Sequence, residues 1–303
     1  MIRPGLDLPA LPLEAWEDSK ETLHLFSQIV GKVRMAAHPK LNHWWHVTLY
    51  PSSRGLTTGR VPYGGLDFEI AFDFIDHALD IRCCDGGHRR FPLTGLSVAA
   101  FHAHLFEALR ALGIEVQIRA VPYDRPYTTP FAQDTGHADY DADRVHDWWR
   151  AMGQIASVFE EFRGRFLGKS TPVHLFWHSF DLALTRFSGR TAPPREGGTR
   201  ADREAYSHEV ISFGWWPGDA QVREAAFYSY TAPEPKGIET MPLDPEAAVW
   251  NEAGGSHMAF LPYEAVRTGT DPRSSILAFL ESAYTAGARR AGWPLETLRT
   301  PGP

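Results

Sequence analysis

The chain of 303 residues has only two cysteines, and they are neighbours, Cys83 and Cys84. Adjacent residues on a strand point to opposite faces, so a bridge between these two would be strained. A structural disulfide framework is thereby excluded, and a cytoplasmic setting follows as the default. No apolar run reaches the ~20 residues of a membrane span. The most apolar helical stretch, Leu96 to Val116, is interrupted by His102, His104, Glu107 and Arg110. The opening Met1-Ile2-Arg3-Pro4-Gly5-Leu6 carries no apolar signal core. No Lys/Arg run stands out, and the formal charge is -7 with a pI of about 6.0. Nucleic acid then has no electrostatic footprint to meet, and attachment to anionic membranes is disfavoured. No Gly-rich phosphate loop follows a predicted strand and no His-Glu-x-x-His spacing occurs, which argues against nucleotide-cofactor folds and gives no motif for a metal.

Apolar residues, by contrast, are plentiful. They make up 43% of the chain, and 10 Trp with 18 Phe exceed what core filling needs, so some aromatics are expected to line a pocket while most are core. The length suits one large domain or two ordinary ones. Two stretches read as imperfect copies of one unit. Each opens with an amphipathic helix bearing a Gln-Ile pair, Gln28-Ile29 and Gln154-Ile155. Each follows it with a His-bearing aromatic strand, His43-Trp44-Trp45-His46 and His174-Leu175-Phe176-Trp177-His178. Each then has an arginine among hydroxyls, Arg54 with Thr57 and Thr58, and Arg186 with Ser188. A hairpin and a glycine-stopped helix close each copy.

The periodicities predict a helix capped at Asp18-Ser19-Lys20-Glu21, with Phe26, Ile29, Val30 and Val33 on its apolar face. A strand over 44–50, a hairpin of 68–74 with 78–83, a helix from Ser97 to Gly113 and a strand over 116–121 follow. Residues 122–143 read as a linker. The second copy has a helix from about Asp147, a strand over 173–185, a loop over 191–204, a hairpin of 207–215 with 225–231, a loop over 232–256 and a helix started by Asp271-Pro272. The fold class is α+β: two pseudo-repeated units, residues 1–121 and 144–303, with antiparallel sheets around a shared cleft in one pseudo-two-fold globule.

The chemistry-bearing residues sit on these matched elements. Arg54 and Arg186 can clamp a carboxylate or phosphate in bidentate fashion, with Thr57 and Ser188 adding hydrogen bonds. The plainer alternative is that each arginine pairs with an aspartate such as Asp73 or Asp181 to fix strand ends. His174 and His178 lie four apart, about 13 Å at ~3.3 Å per residue, too far to share a metal on a straight strand. His174 or His178 with His208 or Glu209 is an easier set, and His174, His178 and His208 are the metal-ligand candidates, for zinc or iron. Equally, histidines among Trp and Phe serve as hydrogen-bonded core residues. His208 has no counterpart in the first copy. Asp134, His137, Asp139 and Asp141 are read chiefly as helix caps.

The segments Asn42-His43-Trp44-Trp45-His46-Val47, Arg54-Gly55-Leu56-Thr57-Thr58, Phe72-Asp73-Phe74-Ile75-Asp76-His77, Ser179-Phe180-Asp181-Leu182-Ala183, Thr185-Arg186-Phe187-Ser188-Gly189-Arg190 and Tyr206-Ser207-His208-Glu209 together resemble a bacterial family known as domain of unknown function 5996. The likeness spans nearly the whole chain. It implies a soluble bacterial protein and brings no activity, cofactor or catalytic residue with it.

The residues therefore support an enzyme acting on a small anionic molecule. Its acid/base groups would be His174, His208 and Glu209. Its substrate contacts would be Arg54, Thr57, Arg186 and Ser188, with Trp45, Trp177, Trp215 and Tyr230 as walls; the cofactor is left open between none and a divalent metal, zinc or iron. The alternatives are a non-catalytic protein binding a small ligand or partner, and a structural pseudo-dimer whose polar pairs only fix strand ends.

Overall fold

The structure is a computed structural model that describes residues 5–194, 197–253 and 255–300. Met1 to Pro4, read above for a leader, lie outside the described residues, as do Arg195, Glu196 and Gly254 of the two expected loops. Helices and two antiparallel sheets make this an α+β protein, and the chain divides into two compact units. One comprises Glu14–Gly153 with Leu175–Phe180; the other comprises Met1–Leu13, Gln154–His174 and Asp181–Pro303. This division differs from the expected boundary at residues 122–143. No described helix is long and apolar enough to cross a membrane.

In the first unit, helix α1 (Glu17–Ala37) is buried along most of its length, from Ser19 through Arg34 with one gap. Its apolar residues Leu23, Leu25, Phe26, Ile29, Val30 and Val33 are all inaccessible to solvent. Phe26 stacks on Phe101 at 4.1 Å, from helix α2 (Val98–Ala111), and Phe101 in turn stacks on Phe72. The sheet beneath contains β1 (Tyr50–Pro51), β2 (Gly55–Thr57), β3 (Val61–Tyr63), β4 (Leu66–Asp73), β5 (Ala78–Cys83) and β6 (His88–Pro92). Its order is β1-β2-β4-β5-β6, with β3 also paired to β4. The β4–β5 hairpin falls where its alternating pattern predicted it. Gly55 is obligatory in β2, because a Cβ there would run into the Phe72 backbone.

Three expectations fail in this unit. The predicted capping box lies inside α1, whose first residue is Glu17, and Ser19 Oγ instead accepts from the Asp141 amide. The predicted strand over 44–50 is mostly a tight helical turn over 42–47, because His43 and Trp44 adopt φ of 53° and 62°. Left-handed backbone at two bulky residues in succession cannot continue a strand. Residues 116–121 form no strand either. Of the anticipated helix caps, Asp141 Oδ1 accepts from the Arg144 amide at the start of α3 (Ala142–Gly164).

The other sheet has β7 (His174–Phe176) at its edge, of which only His174 belongs to the second unit, then β8 (Asp181–Thr191), β9 (His208–Trp216), β10 (Ala226–Ala232), β11 (Val249–Ala253) and β12 (Ser256–Pro262) of that unit. Its order is β11-β12-β10-β9-β8-β7. The strand expected over 173–185 is broken before Asp181, where Phe180 takes φ 60°. The loop expected over 191–204 holds α4 (Arg200–Ala205), with a capping box at Thr199 and Asp202. One face of the sheet is apolar, with Leu184, Ile211, Phe213, Trp215 and Phe227 buried, and α6 (Pro272–Arg290) packs on β9 and β10. Asp271 caps α6 by accepting from Ser274 N at 3.0 Å, with Pro272 at its first position.

The matched Gln-Ile pairs do the same job in each unit. Gln28 on α1 donates to the Tyr123 carbonyl (2.9 Å) and accepts from the Tyr123 amide (2.8 Å). Gln154 on α3 donates to the Asp7 carbonyl and accepts from the Asp7 amide, both at 2.7 Å. Each side-chain amide imitates a neighbouring strand and clips one peptide. The following residues, Ile29 and Ile155, are fully buried.

Candidate functional site

Most residues singled out in the sequence are absorbed by their own unit. Arg54 Nε donates to Asp73 Oδ2 at 2.8 Å and Nη2 to Asp76 Oδ2 at 2.9 Å, so the plainer aspartate pairing holds for it. Thr57 Oγ1 donates to Glu69 and accepts from the Gly59 amide. Ser188 Oγ accepts from Arg190 N, and Glu209 binds Arg190 at 2.6 Å. Arg186 is the clearest correction. It is 1% exposed, with its guanidinium carbon 3.4 Å from the Phe162 ring centroid and 4.4 Å from that of Tyr284. Its Nη2 donates to the Phe162 carbonyl, and burial lowers its pKa to about 10, which leaves it charged. A guanidinium sealed between aromatic rings in the core cannot clamp a diffusing anion. Asp181, its expected partner, accepts instead from the Tyr228 hydroxyl.

The histidines do not converge. His174 is buried, with Nδ1 2.9 Å from the Pro172 carbonyl oxygen. His208, half-buried beside Ser207 Oγ, pairs across Thr191 at the far end of β8. Ser170 bridges Arg186 in antiparallel sense, so His174 aligns near the opposite end of β8. Some nine residues at ~3.3 Å each separate the two imidazoles by roughly 30 Å. His178 falls in no group with metal-ligand spacing among the described residues. This trio is therefore no metal site. Among the described residues, the grouping with metal-ligand spacing is Glu234, Glu239 and His257, whose ligand atoms lie within 4.8 Å of one another. His257 Nδ1 is 2.7 Å from Glu234 Oε1, a contact that raises the histidine pKa and holds the glutamate low. Trp215 is core, against Tyr263 at 5.8 Å, and the Tyr230 hydroxyl meets Tyr206 at 2.9 Å. Trp45 lies beside His43 at 5.7 Å.

The unspent chemistry lies along α1. Lys20, His24, Gln28 and Lys32 recur at every fourth residue and so share one helix face, yet all four are buried. Across that face runs the segment that Gln28 clips at Tyr123, bent over residues 123–126. Glu21 accepts from Lys20 at 2.9 Å, from Tyr127 at 3.0 Å and from Arg125. Despite the opposing effect of burial, these cations hold its carboxyl below the usual range. One turn on, His24 stacks on Phe180 at 5.0 Å, and its Nε2 is 3.2 Å from both the His178 carbonyl and Gln28 Nε2. Burial drives its pKa down to about 3, so it is neutral at physiological pH.

At the end of the stripe stands Lys32. It is 4% exposed, its ammonium lies 5.4 Å from the Trp177 ring centroid, and no hydrogen bond or carboxylate engages it among the described residues. Desolvation, reinforced by the charge of Arg119, lowers its pKa to about 8. Arg119 is exposed, and its side chain likewise has no partner among the described residues. Trp177, expected from the sequence to wall a pocket, is buried against α1. Its indole edge rests on Gly31, where any Cβ would land inside the ring, and its buried Nε1 lacks a hydrogen-bond partner. Tyr123 stands edge-on to it at 6.4 Å. Lys32 and Arg119 thus have no carboxylate partner among the described residues, while the Trp177 Nε1 is buried against Gly31.

Gly31 tests this packing. Alanine is favoured by about 1 kcal/mol in a helix interior, but a methyl here must displace Trp177, and overpacking costs about 1–3 kcal/mol. Gly31→Ala should therefore lower the urea midpoint and alter Trp fluorescence. An unchanged midpoint would mean that Trp177 does not sit against α1.

A model of a family of unknown function, DUF5996, matches residues 8–300. The chain belongs to this family. No curated protein and no solved structure matches it. Family membership thus fixes kinship and leaves the reaction to be argued from the residues. Sequence reasoning missed Lys32, Arg119 and His24. The available signal was the four-residue spacing of polar side chains on a helix whose other faces are apolar.

Proposed function

We propose that this DUF5996 protein is a small-molecule enzyme acting on an anionic substrate, whose carboxylate or phosphate is held by Lys32 and Arg119 against Trp177. One observation carries the reading: the Lys32 side chain is buried against Trp177 with no acidic partner among the described residues, and the charge of exposed Arg119 reaches it. Neighbouring cations repel, so a bound anion would stabilise both. The anion-binding role assigned from sequence to Arg54 and Arg186 thus passes to this pair. Free Cys83 and Cys84 support a reducing, cytoplasmic setting for the activity.

Titration calorimetry with inorganic phosphate and with acetate tests the site. Arg119→Ala should weaken binding by about tenfold or more, the effect of losing one charge-assisted hydrogen bond. Arg54→Ala should bind as the parent does. Equal affinity of the Arg119→Ala variant and the parent would remove the proposal.

A purely binding role has one observation in its favour. His24, on the same face of α1, is neutral, and its Nε2 already lies against two protein partners, which leaves it poorly placed to exchange a proton with substrate. We also propose that the two units arose by duplication. The shared Gln28 and Gln154 clips support this, as does the run of consecutive antiparallel neighbours in both sheets, β4-β5-β6 in one and β8-β9-β10 in the other.

A further inference from the structure

We propose that Lys32 is a nucleophilic amine, and that the substrate is a small aldehyde or ketone bearing an acid group, which Lys32 captures as an imine while Arg119 holds the acid. This rests on the anion reading above and goes beyond it by naming the reacting atom.

The site differs from the surroundings of the other lysines. Lys20 is tied to Glu21 at 2.9 Å, Lys40 lies over Trp44, Lys169 lies over Phe187, and Lys236 is exposed. Lys32 alone combines 4% exposure with a side chain that no carboxylate engages among the described residues. Burial without an anion favours the uncharged amine, whose lone pair is the nucleophile. With its pKa at about 8, roughly a tenth of Lys32 is free amine at neutral pH, a few hundred times the fraction of an ordinary lysine. In the reaction, Nζ attacks the carbonyl carbon. The carbonyl oxygen takes up two protons and leaves as water, and a C=N bond replaces C=O. The protonated imine keeps a positive charge over the Trp177 ring, where cation–π attraction stabilises it. An acid group on the substrate would pair with exposed Arg119 and set the carbonyl beside Nζ.

The experiment uses the full chain with glyoxylate and cyanoborohydride, followed by peptide mass mapping. Hydride from the reagent reduces the imine and leaves a carboxymethyl group on the modified lysine. The expected result is modification at Lys32 exceeding that at Lys20, Lys40, Lys169 or Lys236. Labelling at Lys32 should fall by about tenfold in Arg119→Ala, as one lost charge-assisted hydrogen bond dictates. Because the parent chain carries the mapping, the result does not depend on a Lys32 variant folding. Calorimetry with acetate separates the two levels of the argument. Acetate binding that requires Arg119, together with no preference for Lys32 in labelling, would overturn the imine and leave the anion site. Failure of both would overturn both. Labelling of Lys32 that is indifferent to Arg119 would overturn the assignment of Arg119 as the acid-group anchor.

Discussion

Arg186→Met should leave the protein about as stable as the parent, whereas Arg186→Ala should lose about 2–5 kcal/mol, the usual cost of a large-to-small change in a core. The methionine stem can fill the slot between Phe162, Phe166 and Tyr284 that the guanidinium now occupies. It also removes a buried charge, a replacement that is often neutral or stabilising. The one hydrogen bond lost, to the Phe162 carbonyl, leaves that oxygen still accepting from the Arg165 amide. Arg186→Lys should be worse than Met, because an ammonium is more strongly hydrated and cannot stack its plane on a ring. Urea unfolding of the three variants decides the matter. If Met proves as damaging as Ala, the guanidinium itself holds the core together. Phosphate binding should be unchanged in every variant that folds, in contrast to what an anion clamp at Arg186 requires.

Acid should destabilise the fold well before most carboxylates titrate, and His24 should be a main cause. Its folded pKa is about 3 against 6.5 for the free side chain, so the unfolded chain takes up the proton first. Its contribution is therefore complete above pH 6.5 and is lost as pH falls towards 3. At pH 4.5, two units below the unfolded value, the loss amounts to about 2.7 kcal/mol. Desolvation is the main cause, opposed by the charge of Glu21 and reinforced by those of Arg125 and Lys20. His24→Gln, neutral at every pH, should start less stable at pH 7, having lost the stack on Phe180. Between pH 6.5 and 4.5 it should then lose stability less steeply, by the share of one proton. Denaturant titrations at pH 7 and 4.5 measure the difference. Parallel losses in parent and variant would show that His24 is solvated.

The sequence made the β4–β5 and β9–β10 hairpins legible, because alternation and turn residues are local signals. The Gln-Ile pairs were legible as a repeat, though not as clips, since their partners Tyr123 and Asp7 are remote along the chain. Around His43 and Trp44 the reading failed, because aromatic side chains favour strands while the backbone turned left-handed. His174 and His208 were joined by an inference that ignored register: both open strands of one sheet, but at opposite ends of β8. Arg186 misled because a guanidinium among hydroxyls reads as a polar site, and only the packing of Phe162 and Tyr284 around it reveals a core residue. Lys32 is not legible because a polar helix face is ordinarily solvated, and here a remote segment around Tyr123 crosses it.

The excursion of Leu175–Phe180 into the first unit has a bearing on the order of events during synthesis. Trp177, which rests on Gly31, and Phe180, which stacks on His24, are translated after Gly153 has closed the rest of that unit. A nascent chain ending at Gly153 therefore has a polar helix face with neither of the aromatic covers that desolvate it. In that state Lys32 lacks the Trp177 ring and His24 lacks its stack on Phe180. The aromatic covers of Lys32 and His24 arrive together, on a piece of chain more than twenty residues further on.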